Sequence, residues 1–411
     1  MTISPARTVV ILCVTLGCAL AQIDARQNGS SSNATLALGE PTTLATLAFD
    51  SEGLTVDPAT QTLYAAEAPD ASGECYVRGI ALNGVVSTVG TLPKPAGPCA
   101  PRGLEFRGGR LYIADQGAAA TGWVYEMDPA SGQSTVFAAG VAGANGIAFD
   151  SDGNLWITDS LRGLGRVYRR DAATGTVTEA FRVPPVGNGT TYGGRLNVPN
   201  ALGIGRQIIN LPVGMQAEVR QVANGIAIVE RYSDQAHTTG QGQPRTATVY
   251  VSDTARGAIW AARLDAQGNL APGQTGCDPT LQENTLCEDT LWVAHPRLEG
   301  ADGMVADSDG SLVIAVNARQ AIARVDRNGR VTELFRNPFN SQLLRSSADS
   351  VEGNTHILEY PSNPVLIDRQ RGPHAQTICV TSIDRGPRDN WPGTVGEIGG
   401  PGQGKGKISC F

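Results

Sequence analysis

One segment of this chain keeps returning. "SEGLTVDPATQTLYAAE" begins at Ser51, "ANGIAFDSDGNLWITDS" at Ala144, "ANGIAIVE" followed by "TATVYVSDT" at Ala223, and "ADGMVADSDGSLVIAV" at Ala301. A repeat of this length implies a solenoid, a propeller or an array. Each copy sets an oxygen-bearing side chain directly before a glycine: Glu52, Asn145, Asn224 and Asp302. An alternating apolar run follows, then in three copies a polar turn, then a second β-rich run. A propeller turns equivalent positions of every blade toward one axis. Four oxygen ligands at one repeat position would therefore face one spot, although no local stretch contains a ligand motif.

The grammar between the copies is consistent with short strands. Runs alternate apolar and polar residues, or are apolar throughout where a strand is covered on both faces. Turns are D-G, N-G or A-x-G-x. The 50 glycines and 24 prolines among 411 residues suit many tight turns, and 41% hydrophobic content is ample for a core. The reading is an all-β, six-bladed β-propeller with long loop insertions. Blade one runs from about Leu44 to Gly90, blade two from Pro101, and blade three from Ala144 to about Val183. Blades four and five start at Ala223 and Ala301. Blade six is degenerate, with "PSNPVLIDR" and "QTICVTSID" as its best strands. Insertions at 184–220, 231–245 and 271–288 would shape a binding site on a rigid scaffold.

The N-terminus reads as a secretory signal over residues 1–21. Arg7 supplies a positive n-region, Val9 to Leu20 is apolar but short, and Ala19-Leu20-Ala21 is a small-x-small cleavage site. Residues 22–41 read as a loose segment, 42–390 as the propeller, and 391–411 as a Pro/Gly-rich tail of irregular coil. Cleavage leaves Cys75, Cys99, Cys277, Cys287, Cys379 and Cys410. An even count in a secreted chain implies disulfides, and six cysteines allow fifteen pairings. Neighbour pairing is the expectation, because each neighbouring pair falls within one blade or loop; the last pair would staple the tail. Sequons at Asn28, Asn33 and Asn188 suit secretion. The formal net charge of −7 excludes a basic nucleic-acid surface. No run after the signal is long and apolar enough to cross a membrane as a helix. The expected partner is a small-molecule substrate, with no nucleic acid and no membrane, and the protein is read as a monomer.

Taken together, Glu52-Gly53 with "DPATQTLY", Asn145-Gly146 with "DSDGNLW", Asn224-Gly225 with "VYVSDT", and Asp302-Gly303-Met304 with "DSDGSL" resemble the SMP-30/gluconolactonase/luciferin-regenerating family of six-bladed propellers, from about Phe49 to Phe335. The resemblance implies a divalent metal at the propeller centre, held by Glu52, Asn224 and Asp302, with Asn145 as a fourth ligand or a substrate contact. It also implies hydrolysis of lactones and related esters, with Asp302 in the role of base. An all-oxygen set of two carboxylates and two amides suits Ca2+ best, then Mg2+ or Mn2+; Zn2+ without His or Cys is less usual. The chain departs from the family in two places. Its opening motif is Glu-Gly-Leu rather than Glu-Gly-Pro, and Gly143 and Ala144 stand where sugar-lactone members carry an Arg. The missing Arg speaks against a sugar-acid lactone and favours a more apolar substrate. The runner-up is a cyclase of a fungal natural-product pathway, of the hetero-Diels–Alderase type, using the same cavity without metal. A non-catalytic binding propeller is the third reading.

Other motifs are read as structural. "DSDGNL" and "DSDGSL" place Gly too early for a calcium loop, with no Glu at the twelfth position, so both read as hairpin turns. No G-x-S-x-G elbow supports a Ser-His-Asp triad. His237, His295, His356 and His374 lack metal spacing; His237, near Tyr232 and in an insertion, is the best catalytic candidate among them. Tyr192, Tyr232 and His237 are the candidate substrate-lining residues. Trp156 and Trp260 sit on strands and read as packing between blades.

Overall fold

In the computed structural model the described residues are 38–94, 97–117, 122–160, 163–185, 222–232, 245–336, 358, 360–368, 376–383 and 406–411, together with the backbone of 195–199 and 206–210. Among them are six four-stranded antiparallel sheets, a two-stranded hairpin (Arg195–Pro199 with Arg206–Asn210), and no α-helix. Three short 3-10 turns complete the regular elements. The protein is a six-bladed β-propeller. The innermost strands are Ser51–Val56, Pro101–Arg107, Ala144–Phe149, Val222–Tyr232, Ala301–Ala306 and Pro361–Asp368. Each packs beside the innermost strand of the next blade, and the sixth packs beside the first, which closes the ring.

The apolar core is divided accordingly. Six buried clusters each lie across one blade-to-blade interface. Trp156, Phe181, Val249 and Trp260, for example, fill the space between blades three and four. The indole N–H groups of Trp156 and Trp260 are satisfied by buried carboxylates, Asp150 and Asp253. The "DSDG" segments are indeed turns, closed by Gly153 N–H donating to Asp150 O and Gly310 N–H to Asp307 O.

The blade boundaries differ from the sequence reading at both ends. Residues 42–46 do not open blade one. Thr42–Thr46 is the outermost strand of blade six and pairs with Lys407–Cys410, which pairs in turn with Gln376–Ser382. The last residues of the expected coil tail are therefore a strand, because a sheet with both chain ends in it leaves no free seam in the ring. Cys379 and Cys410 face each other in register on adjacent strands and are joined, as are Cys75 with Cys99 and Cys277 with Cys287.

Every innermost strand carries a register shift at the same place: between Ser51 and Leu54, Pro101 and Leu104, Ala144 and Ile147, Val222 and Ile226, Ala301 and Met304, and Pro361 and Pro364. A bulge re-aims the side chain it holds. The glycine after that side chain permits the blades to meet. A Cβ on Gly53, Gly103, Gly146, Gly225 or Gly303 would stand 2.0–2.5 Å from the carbonyl oxygen of the bulged residue in the next blade. Hydroxyls on the second strands lock the same step. Ser252 accepts from Gly225 N–H and donates to Asp302 O, and Thr381 donates to Glu52 O.

Because a methyl on Gly225 would meet only backbone atoms of Asp302 and Gly303, Gly225→Ala is expected to cost at least about 2 kcal/mol, the scale of overpacking against atoms that cannot turn aside. Gly39→Ala, where nothing lies within 4 Å of the added methyl, is expected to stay within about 0.5 kcal/mol of the parent. Denaturant unfolding of both variants checks the difference.

Candidate active site

A central channel of about 410 Å³ is lined at one level by Glu52, Asn145, Asp302 and Ser362, and the bulges set six side chains at that one register position. They are Glu52, Arg102, Asn145, Asn224, Asp302 and Ser362, one from each blade. The four residues expected from the repeat are all in this ring and all lie low in exposure. Arg102 and Ser362 were not foreseen, although both occupy the same register position; Arg-Gly and Ser-Asn do not fit a search for an oxygen ligand before glycine.

Two hydrogen-bonded groups make up the ring. In the first, Arg102 Nη1 donates to Glu52 Oε2 at 2.6 Å, with both side chains under 15% exposed. Arg102 Nε and Nη2 donate to Gln116 Oε1. Asn145 Nδ2 donates to Glu52 Oε1 at 3.2 Å and to Ser160 Oγ at 3.0 Å. In the second, Asp302 is clamped by three donors. Asn224 Nδ2 reaches its Oδ1 at 2.6 Å, Ser362 Oγ its Oδ2 at 2.8 Å, and Asn317 Nδ2 its Oδ2 at 3.4 Å. Asn224 Nδ2 also donates to Thr254 Oγ1.

Two amide oxygens beside Asp302, those of Asn224 and Asn317, are buried and accept no hydrogen bond among the described residues. Orphaned acceptors next to a carboxylate are what a hard cation would satisfy. The residues thus fit a divalent metal by donor chemistry on the Asp302 side, with Asn224 and Asp302 as its natural holders and Glu52 Oε1 in the same ring. Arg102 is a departure, since it already brings one positive charge to Glu52. Among the described residues no three His, Cys, Asp or Glu side chains form a metal cluster, so any ion here would depend on amide oxygens.

Below the ring, Leu54, Leu104, Ile147, Ile226 and Met304 line the next level of the channel. Tyr232 is not brought to the ring. It ends the fourth blade's innermost strand eight residues past Asn224, roughly 26 Å along the strand. His295 caps a 3-10 turn, its Nδ1 accepting from Arg297 N–H, and burial lowers its pKa below the usual histidine value. Tyr192, His237, His356 and His374 lie outside the described residues, as do Asn28, Asn33 and Asn188. A further repeat escaped the sequence reading. Glu67, Asp115, Asp159 and Asp253 end the second strands of four blades, each buried. Glu67 and Asp115 accept from the backbone that leads into their blades, and Asp159 and Asp253 pair with Arg166 and Arg256. They are structural.

The family pattern described as the SMP-30/Gluconolactonase/LRE-like region matches residues 230–343. No curated protein matches the sequence. Among solved structures, the calcium-binding protein regucalcin from Agrobacterium tumefaciens is similar at a TM-score of 0.50 and 18% identity, over 91% of this chain and 93% of that one. A gluconolactonase from Xanthomonas campestris gives 0.48 and 16%, over 93% of each chain. A luciferin-regenerating enzyme gives 0.49 and 13%, over 90% and 95%. At these identities the likeness is one of fold.

Removing the Arg102 guanidinium leaves Glu52 enclosed without its cation. Arg102→Met is expected to destabilise the protein by about 2–3 kcal/mol, somewhat below the cost of breaking a fully buried pair. Adding Glu52→Gln to it is expected to restore more than half of the loss. Equilibrium unfolding of the two single variants and the double variant measures the coupling.

Proposed function

We propose that this protein is a hydrolase that opens a lactone or cleaves an ester of a largely apolar small molecule at the ring end of the central channel. The observation that carries this reading is Asp302: a carboxylate at the channel end, fixed by three side-chain donors and facing a cavity large enough for a small substrate. The match to the SMP-30/gluconolactonase pattern, which includes Asp302, supports the same reaction class.

The apolar wall would hold the acyl part of the substrate and keep bulk water from it. Arg102 spends three of its five N–H groups on Gln116 and Glu52, so two remain to hold the substrate carbonyl oxygen as negative charge develops there. Asp302 would accept the proton of the attacking water, held at the right angle by Asn224, Asn317 and Ser362. When bound by Asp302, Asn224 and Glu52, a divalent cation, Ca2+ before Mg2+, Mn2+ or Zn2+, would supply Lewis acidity toward the carbonyl and make that water more acidic. Secretion, directed by residues 1–21, and a monomeric state belong to the same proposal.

The apolar wall also suits the alternative, a natural-product cyclase, which would act by shape and have no use for a base at Asp302. The test is turnover of a panel of aliphatic lactones and esters by the parent and by Asp302→Ala. The hydrolase reading predicts activity in the parent and a loss of about 10³-fold in the variant, with unchanged circular dichroism. Full activity in Asp302→Ala, or none in the parent on any panel member, would contradict it.

A further inference from the structure

The channel contains one carboxyl that the ring does not use. Residues one step beyond the first register pair after each bulge share a level: Thr55, Glu105, Ala148, Ala227, Val305 and Val365, opposite Tyr64, Tyr112, Trp156, Tyr250, Val313 and Cys379. Five of the six are small and uncharged. The Thr55 hydroxyl is already engaged by Phe106 N–H. Glu105 alone brings a charge to this level, and it lines the cavity. Among the described residues no donor hydrogen-bonds its carboxyl. The nearest cation, Arg107, is directed away, its guanidinium donating to Asp150 O and lying over the Phe149 ring. A carboxyl half-buried in the channel wall without a partner gives the fold nothing that a glutamine would not supply. Glu105 stands three residues along the strand from Arg102, about 10 Å at the usual strand rise.

We propose that Glu105 is a substrate-recognition residue that pairs with the ammonium group of an amine-bearing ester or lactone, about 10 Å down the channel from the carbonyl held at the ring. This rests on the hydrolase reading for the carbonyl but not for the amine. The chemistry is that of a cation completing a half-buried anion. An ammonium ion on an alkyl chain matches both the apolar wall and the lone carboxyl, whereas a neutral chain would leave the carboxyl unpaired.

The pairing must depend on pH. Burial pushes the Glu105 carboxyl up to about 7, with Arg107 pulling it down. Among the described residues no other charged group faces it. Tyr112, opposite on the second strand, has its phenol raised by burial and stays neutral, and blades one and three bring only Thr55 and Ala148. An ammonium requires the ionised carboxylate. Affinity therefore rises through pH 7, levels above it, and is lost below it, while an alkylamine remains protonated throughout, as a lysine does.

The experiment is calorimetric titration of the purified protein and of Glu105→Gln with n-hexylammonium chloride and, separately, with 1-hexanol, at pH 6 and pH 8. Thermal unfolding confirms that the variant is folded. The expected result is hexylammonium binding about tenfold tighter at pH 8 than at pH 6 in the parent, no such change in Glu105→Gln, and no pH dependence for hexanol in either. Equal affinity of parent and variant for hexylammonium at pH 8, or no binding to the parent, overturns the proposal. Hydrolysis of a 6-aminohexanoate ester against a hexanoate ester separates the two readings. If neither ester turns over while Glu105-dependent hexylammonium binding persists, the hydrolase reading fails and the amine site stands.

Discussion

The contact on which the rest of this structure depends is a glycine Cα resting against the carbonyl oxygen of the neighbouring blade. It occurs at five consecutive blade interfaces, and at the sixth Asn363 takes the place of glycine and donates to Leu54 O. A side chain at any of the five would hold the innermost strands apart. With glycine there, the strands approach closely enough for Ser252 and Thr158 to bridge from one blade's second strand to the next blade's backbone. The same bulge that brings the glycine to its neighbour turns the preceding side chain to the channel end. Closure of the ring and assembly of the site are therefore one event, and the site inherits the rigidity of the closure.

That coupling explains what could be read from the chain. Glu52, Asn145, Asn224 and Asp302 were legible because a glycine marks the same phase in each copy, and phase alone places them together in a propeller. Arg102 shares the glycine and the phase, but a cation does not belong in a set of metal ligands, so a search by ligand type passes over it. Ser362 lacks the glycine. Glu105 lies three residues past the mark, where neighbouring copies carry Thr, Ala and Val, and its isolation is visible only when the six strands are set side by side. The closing sheet was harder still. Thr42–Thr46 and Lys407–Cys410 are short and separated by nearly the whole chain, so nothing local signals their pairing. The cysteine at 410 was the one hint that the last residues are held to the body of the protein.

The ring's electrostatics set this site apart from a plain oxygen cage. The ring holds two carboxylates, on blades one and five, and each is held differently: Glu52 by a guanidinium, Asp302 by neutral amides and a hydroxyl. An ion pair fixes Glu52 and lowers its appetite for a second cation, whereas the amide and hydroxyl donors on Asp302 are neutral and two amide oxygens beside it lack donors among the described residues. The division suggests a division of labour, with the Arg102 side facing developing negative charge on a substrate and the Asp302 side facing water and cation. The apolar wall beneath strengthens both by excluding solvent.

The measurement that reaches the centre of this account is anomalous diffraction from crystals of the protein grown with Mn2+. The account predicts a single strong peak at the ring, within bonding distance of Asp302 and the Asn224 amide oxygen, and its loss in Asn224→Ala. A map with no peak at the ring, or with manganese bound only elsewhere, would contradict the claim that the six bulges assemble one cation-holding site.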